Sequence, residues 1–255
     1  MDPVDVYSPD RSLKGKLRRR LTQWVDRRPA RFATSRPMIS FTFDDAPASA
    51  LCEGAARLEA QDARGTYYIA ASLAGRDGPM GRYATRDQIK AAAGRGHDIA
   101  CHSFSHLDCG GAEAGAIVAD AAKNQATLKR WGVGASSSFA YPYGDVSRAA
   151  KQALAPRYGL LRALHHGLIE PGSDLNQAPA IGIEGPGGEA LALRWLDRAA
   201  DRKAWLILYT HDVADEPSTW GCTPAALDRL ISAARNSGFD IVTVAEGLGR
   251  MGAAG

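Results

Sequence analysis

A chain of 255 residues, 45% hydrophobic and 23% charged, has ordinary globular composition, and its length allows a sizeable core, which excludes disorder along the whole chain. Four cysteines without paired short-range spacing make no disulfide scaffold, and no run approaches the roughly 20 apolar residues of a membrane-spanning helix. The net charge of +3 is uneven: ten Lys or Arg residues against one acid, Asp26, fall between Arg11 and Arg36, and the remainder lacks the basic surface that nucleic acid requires.

The first residues, Met1 to Asp5, lack the basic-then-apolar order of a secretory signal, so the expected location is the cytoplasm. Residues 1–36 form a basic arm. Within it Leu13, Leu17, Leu21, Trp24 and Val25 recur at three- and four-residue intervals, while Lys14, Lys16, Arg18 and Arg19 fall on other faces, which predicts a basic amphipathic helix. Apolar stripes at helical spacing usually mean core, so packing against the domain behind is the favoured reading. The other is peripheral contact of residues 11–36 with an anionic membrane at its inner face.

Beyond Pro37, residues 37–255 read as one α/β domain. Strands are expected at Met38–Phe43, Thr66–Ala70, Asp98–His102, Ser137–Tyr141, Gly159–Ala163, Ala180–Ile183, Trp205–Tyr209 and Asp240–Val244. Helices are expected between them at Ala48–Gln61, Thr85–Ala93, Glu113–Trp131, Ser147–Ala155, Glu189–Asp201 and Pro224–Asn236. This alternation predicts parallel pairing through right-handed crossovers, and seven or eight such units fit a (β/α) barrel. A doubly wound open sheet is the rival. It usually carries a glycine-rich phosphate turn after an early strand, where this chain has Asp44-Asp45-Ala46-Pro47, so nucleotide binding is disfavoured.

Barrel active sites sit at the C-terminal ends of strands, and several of these ends carry chemistry. The first strand delivers Asp44 and Asp45, the third Cys101, His102, Ser103 and then His106, the fourth Tyr141-Pro142-Tyr143-Gly144, and the seventh Tyr209-Thr210-His211-Asp212. Two adjacent carboxylates at a buried strand exit cannot both tolerate desolvation as anions, so a metal or another cation should hold one. An Asp with two His leaves coordination positions open for water and substrate, which suits Zn²⁺ or a related divalent ion in hydrolysis. His102 and His106 alone are weak evidence; the aspartates on another strand end make a constellation.

Thr42-Phe43-Asp44-Asp45, Gly96-His97-Asp98-Ile99 running into His102-Ser103-Phe104-Ser105-His106, Tyr141-Pro142-Tyr143-Gly144, and Leu206-Ile207-Leu208 followed by His211-Asp212 resemble the NodB-homology polysaccharide deacetylases of carbohydrate esterase family 4, from Met38 to Leu248. The resemblance implies a distorted (β/α) barrel that removes N-acetyl groups from amino sugars with one divalent metal. It implies Asp44 as general base, Asp45, His102 and His106 as metal ligands, and His211 as general acid. It places an oxyanion donor at the Tyr143 N–H, with Tyr141 and Pro142 beside it. The metal is expected to be Zn²⁺, with Co²⁺, Ni²⁺ or Mn²⁺ as alternatives. Two positions depart from the pattern: Ala140 stands where relatives carry an arginine that orients the catalytic aspartate, and the fourth motif is not recognisable, Asp174 being a candidate stand-in.

Other residues have plainer readings. His97 is read as a structural brace, Ser103 as a loop hydrogen-bonder, and Cys52 and Cys222 as buried free thiols. A structural zinc site of Cys101, His102, His106 and Cys109 is disfavoured, because neighbours on a strand point to opposite faces. His165, His166 and Trp220 are candidates for substrate contact. The expected function is metal-dependent de-N-acetylation of N-acetylglucosamine-type sugars in a bacterial exopolysaccharide or its lipid-linked precursor, the nearest likeness being to short signal-less exopolysaccharide and adhesin deacetylases. The alternatives are an O-acetyl esterase or other C–N hydrolase on the same scaffold, and a silent carbohydrate-binding barrel.

Overall fold

The computed structural model describes residues 13–31 and 35–253. Its frame is a parallel sheet of eight strands: β1 (Met38–Asp44), β2 (Thr66–Ile69), β5 (Asp98–Cys101), β6 (Ser138–Ala140), β7 (Leu160–Arg162), β8 (Ile181–Gly182), β9 (Trp205–Thr210) and β10 (Asp240–Ile241). The spatial order is β7-β6-β5-β2-β1-β9-β8, with β10 paired to the start of β1. Ala178, just before β8, bridges Arg162 on β7, so the two sheet edges meet and the sheet curls into a distorted (β/α) barrel. β1 is buried along its whole length although Ser40 and Thr42 alternate with Ile39, Phe41 and Phe43, because both hydroxyls are hydrogen-bonded inside the barrel, to Trp205 Nε1 and to the Leu208 carbonyl.

Helices cover the outside: α2 (Ala55–Glu59), entered through a π turn at Ala50–Gly54, then α3 (Arg86–Gly94), α4 (Ala114–Arg130), α5 (Arg148–Leu154), α6 (Gly188–Arg202), α7 (Pro224–Asn236) and α8 (Val244–Ala253). Side-chain hydroxyls of Thr85, Ser147 and Thr223 cap the N-termini of α3, α5 and α7, at the boundaries the sequence suggested. Phe43 stacks on Tyr67 at 4.7 Å in the main core, and Trp205, fully buried, donates from Nε1 to Ser40 Oγ at 2.9 Å.

Two expectations are corrected and one element is added. The last strand stops at Ile241, and Val244 opens a helix, because Thr243 and Glu246 form a capping box: the Glu246 N–H donates to Thr243 Oγ1 at 3.1 Å and Thr243 N–H to Glu246 Oε2 at 2.8 Å. A small hairpin of β3 (Asp77–Gly78) and β4 (Gly81–Arg82) is too short to leave a periodic signal. In the arm, α1 (Leu13–Thr22) forms, yet Leu17, Leu21, Trp24 and Val25 are 58%, 57%, 73% and 37% exposed, so these members of the apolar stripe do not pack on the barrel. The opposite side does, through buried Gly15 and Thr22. Residues 1–12 and 32–34 of the arm lie outside the described residues.

Candidate active site

The C-terminal ends of β1, β5 and β9 bring Asp44, Asp45, His102, His106 and His211 together. One ligand atom each from Asp45, His102 and His106 lies within 4.8 Å of the others. His102 Nδ1 donates to the Ala140 carbonyl at 2.8 Å, which fixes the tautomer and leaves Nε2 with a lone pair. Burial lowers the His102 pKa to about 4, against the pull of Asp44 and Asp45, so the ring is neutral. Its Nε2 stands 3.7 Å from Asp45 Oδ1, and His106 Nε2 stands 3.3 Å from the same oxygen. That oxygen is buried and, among the described residues, accepts no hydrogen bond. With His102 neutral, its approach to Asp45 is one of lone pairs facing a carboxylate, which is unfavourable unless a cation sits between them. The donor set therefore fits a divalent metal.

The backbone is shaped for this convergence. Asp45, Ala46, Ser103, His106 and Tyr143 all have φ between 51° and 59°, and they are five of the eight non-glycine residues with positive φ among the described residues. The loop from His102 to His106 is clamped by Asp120 on α4, whose carboxylate accepts from the N–H groups of Phe104 and Ser105 and from Ser105 Oγ, and Ser103 Oγ accepts from the Leu107 N–H. Tyr143 lies edge-on to His106, ring centroids 4.4 Å apart. The next residue, Gly144, also has positive φ, +64°, and a Cβ there would meet Leu164 Cγ at 2.5 Å, so the turn that carries Tyr143 admits only glycine.

Two functional partners escaped the sequence reading. Arg162 on β7 is fully buried and hydrogen-bonds Asp44 Oδ1 through Nη2. Its strand partner in the β6–β7 register is Ala140, the position at which the family resemblance implies an arginine, so here the guanidinium reaches the aspartate from the neighbouring strand. Burial would raise the Asp44 pKa, but Arg162, His102 and His211 hold it below the usual carboxylate range. Glu184, just after β8, accepts from His211 Nδ1 at 2.8 Å. Burial works against the charged His211 ring, but that hydrogen bond, with Asp44, Asp45 and the Glu184 charge, raises its pKa to about 9. In the sequence each leaves only a general mark, a lone Arg in an apolar strand and an acid at a strand exit, without the neighbour that gives it a role.

The remaining candidates divide. Trp220 is 37% exposed beside His211, and its carbonyl accepts from the His211 N–H at 3.1 Å. His166 lines a cleft of about 380 Å³ with Glu184, Tyr209 and Arg194. His165 faces a separate cleft with Trp24, Asp174 and Gln177. Tyr141 is turned away from the site: it is 1% exposed, packs on Phe139, and donates from its hydroxyl to Asn176 O at 3.1 Å, and Pro142 is buried next to it. Asp174 does not stand in for the fourth motif, because it pairs with Lys151 under the arm. His97 braces the barrel base, accepting from the Gly65 N–H and bonding Glu59. Cys101 accepts from Asn124 Nδ2, Cys109 and Cys222 are buried, and Cys52, contrary to expectation, is exposed.

The model of the polysaccharide deacetylase family matches residues 32–160, just over half of the chain. The chain belongs to this family. No curated protein sequence matches it. Among solved structures it is similar to the CE4 domain of a multidomain xylanase from the hindgut metagenome of Trinervitermes trinervoides (TM-score 0.63, 20% identity, covering 86% of this chain and 92% of that one). It is also similar to the chitin deacetylase of Colletotrichum lindemuthianum (TM-score 0.61, 17% identity, 84% and 89%) and to a CE4 family pseudoenzyme from Bacillus anthracis (TM-score 0.57, 14% identity, 87% and 68%). Identities this low show the shared fold alone.

Proposed function

We propose that this family member is a metal-dependent deacetylase of N-acetylglucosamine-type sugars in a bacterial exopolysaccharide or its lipid-linked precursor, working at the inner face of the cell membrane. The observation that carries the reading is the buried, unbonded Asp45 Oδ1 facing two imidazole nitrogens, with Asp44 and His211 beside them. Asp45, His102 and His106 hold the divalent ion, with Zn²⁺ first and Co²⁺, Ni²⁺ or Mn²⁺ as alternatives. A cation there supplies acidification of water and polarisation of the acetamide carbonyl. Asp44 takes the proton of the attacking water, Arg162 keeping the carboxylate ionised and oriented. The family resemblance assigns the Tyr143 N–H as donor to the developing oxyanion. His211, held by Glu184, gives its proton to the leaving amine.

The test is acetate release from N-acetylglucosamine oligomers by metal-stripped protein, with and without Zn²⁺ or Co²⁺, beside Asp44→Asn. Turnover that needs metal and falls about 10²- to 10⁴-fold in the variant is the expected result. O-acetylated sugars run in parallel separate amide from ester hydrolysis, since the metal chemistry does not choose between them. A protein that binds metal and oligomer without releasing acetate from either overturns the reading in favour of a silent barrel, the condition that the Bacillus anthracis relative's designation as a pseudoenzyme illustrates for this fold.

A further inference from the structure

Large exposed apolar side chains are concentrated in one place. Among the described residues there are five, and four of them, Leu17, Leu21, Trp24 and Val25, lie within nine positions on α1 and its exit. Leu17, Leu21 and Trp24 follow the i, i+4, i+7 spacing of a single helical face. Isolated apolar residues at a surface mean little, whereas a contiguous row marks an interaction site.

The segment behind the row is fixed. Lys151 on α5, fully buried, donates from Nζ to Thr22 O at 2.5 Å, Val25 O at 2.8 Å and Asp174 Oδ2 at 2.6 Å. Asp174 Oδ1 accepts from the Arg28 N–H at 2.9 Å, and Arg28 donates to the carbonyls of Ala155 and Tyr158. Ala30 N–H donates to Ser173 O at 2.7 Å. A stripe meant for the barrel would be turned inward by such anchors; here they hold the polar backbone inward and the apolar row outward.

We infer that this row is the docking face of the protein for an anionic lipid bilayer, an inference that rests on the proposed action on lipid-linked sugar. Charge selects the occupant. Lys14, Lys16, Arg18, Arg19 and Arg20 belong to the same helix as Leu17 and Leu21, and no acid interrupts α1. A short basic helix with a narrow apolar row suits the headgroup boundary of an anionic leaflet. Four partly exposed side chains offer an apolar area well below the roughly 800 Å² per partner of a standard protein interface, which disfavours a second copy.

The experiment is co-sedimentation of the full chain with vesicles of phosphatidylcholine alone or mixed with phosphatidylglycerol, for wild type and for Leu17→Ser/Leu21→Ser/Trp24→Ser. Wild type is expected to bind only the mixed vesicles, more weakly as salt rises, and the triple variant to lose at least about tenfold in binding. The variant's circular dichroism and its oligomer turnover should be unchanged. Equal binding by the variant, or no binding by wild type, overturns the inference. So does a wild-type dimer in light scattering that becomes monomeric in the variant, since the row then meets a second copy. Binding is read without turnover, so failure of the deacetylase reading leaves this result separately readable.

Discussion

Two buried ion pairs lie on either side of the same barrel wall, and they are built differently. Outside, Lys151 Nζ has three acceptors within 2.8 Å, which matches the three donors of an ammonium group. Inside, Arg162 binds Asp44 through Nη2, while Nε and Nη1 are buried without hydrogen-bond partners among the described residues. The first pair is saturated and can only hold two parts of the chain together. The second leaves donors unused and an aspartate whose charge is also felt by His102 and His211. An incompletely satisfied network at a fully buried position costs stability, and such cost is tolerated where chemistry needs it.

The sharpest way to break this comparison is to remove each cation. Arg162→Met should lower kcat by one to two orders of magnitude, about the effect of misplacing a general base, while the cost in stability stays moderate because the charged His211 still faces Asp44 and two unsatisfied donors leave with the guanidinium. Oligomer turnover and thermal melting, read side by side, check both. Lys151→Met should do the reverse: the Asp174 carboxylate and two backbone carbonyls lose their shared donor, at about 3–5 kcal/mol, with near-normal kcat in whatever protein remains folded. Equal losses of activity and stability in the two variants would erase the distinction. The same anchors imply that removing residues 1–36 destabilises the barrel, whereas removal of residues 1–12 spares every contact Lys151 makes.

The convergence of the Asp and His side chains was legible because each sits at a strand exit and because the motifs keep their order and spacing. Asp44, Asp45, His102, His106 and His211 are local in sequence to a strand end, and the alternation of apolar strands and helices fixes which ends meet. Arg162 and Glu184 were not found, since their value depends on register: Arg162 matters because it pairs opposite Ala140, and one-dimensional spacing does not report cross-strand neighbours. Tyr141 misled for a related reason. Its neighbour Tyr143 turns toward the site with φ at 59°, and the period of a strand does not continue through such a turn. The arm misled through its stripe, because periodicity identifies an apolar face without saying what covers it.

Glu184 gives a finer test, read in pH. With His211 raised to about 9, its proton is present at neutral pH and lost as pH rises through that value, so kcat/KM should fall on the alkaline side near 9. Glu184→Gln removes the hydrogen-bonded carboxylate, and the alkaline limb should move toward neutrality, with little change below it. The stability from the charged pair has the same sign: it is fully present below the ordinary histidine pKa of about 6.5 and lost as pH rises through about 9. A packing role alone for Glu184 would lower activity at every pH and leave the limb in place.

The smallest expected effect belongs to Trp220. Its carbonyl, which accepts from the His211 N–H, survives substitution by alanine, so His211 keeps its backbone support. What Trp220→Ala removes is a ring that is 37% exposed at the edge of the site. A sugar stacking there loses about 0.5–1.5 kcal/mol beyond its buried area, which appears as a severalfold rise in KM with kcat unchanged. A ring that merely covers the loop edge leaves both constants alone. A fall in kcat at constant KM would place the ring among the groups that position His211, extending the inner network to the Asp215–Thr223 loop.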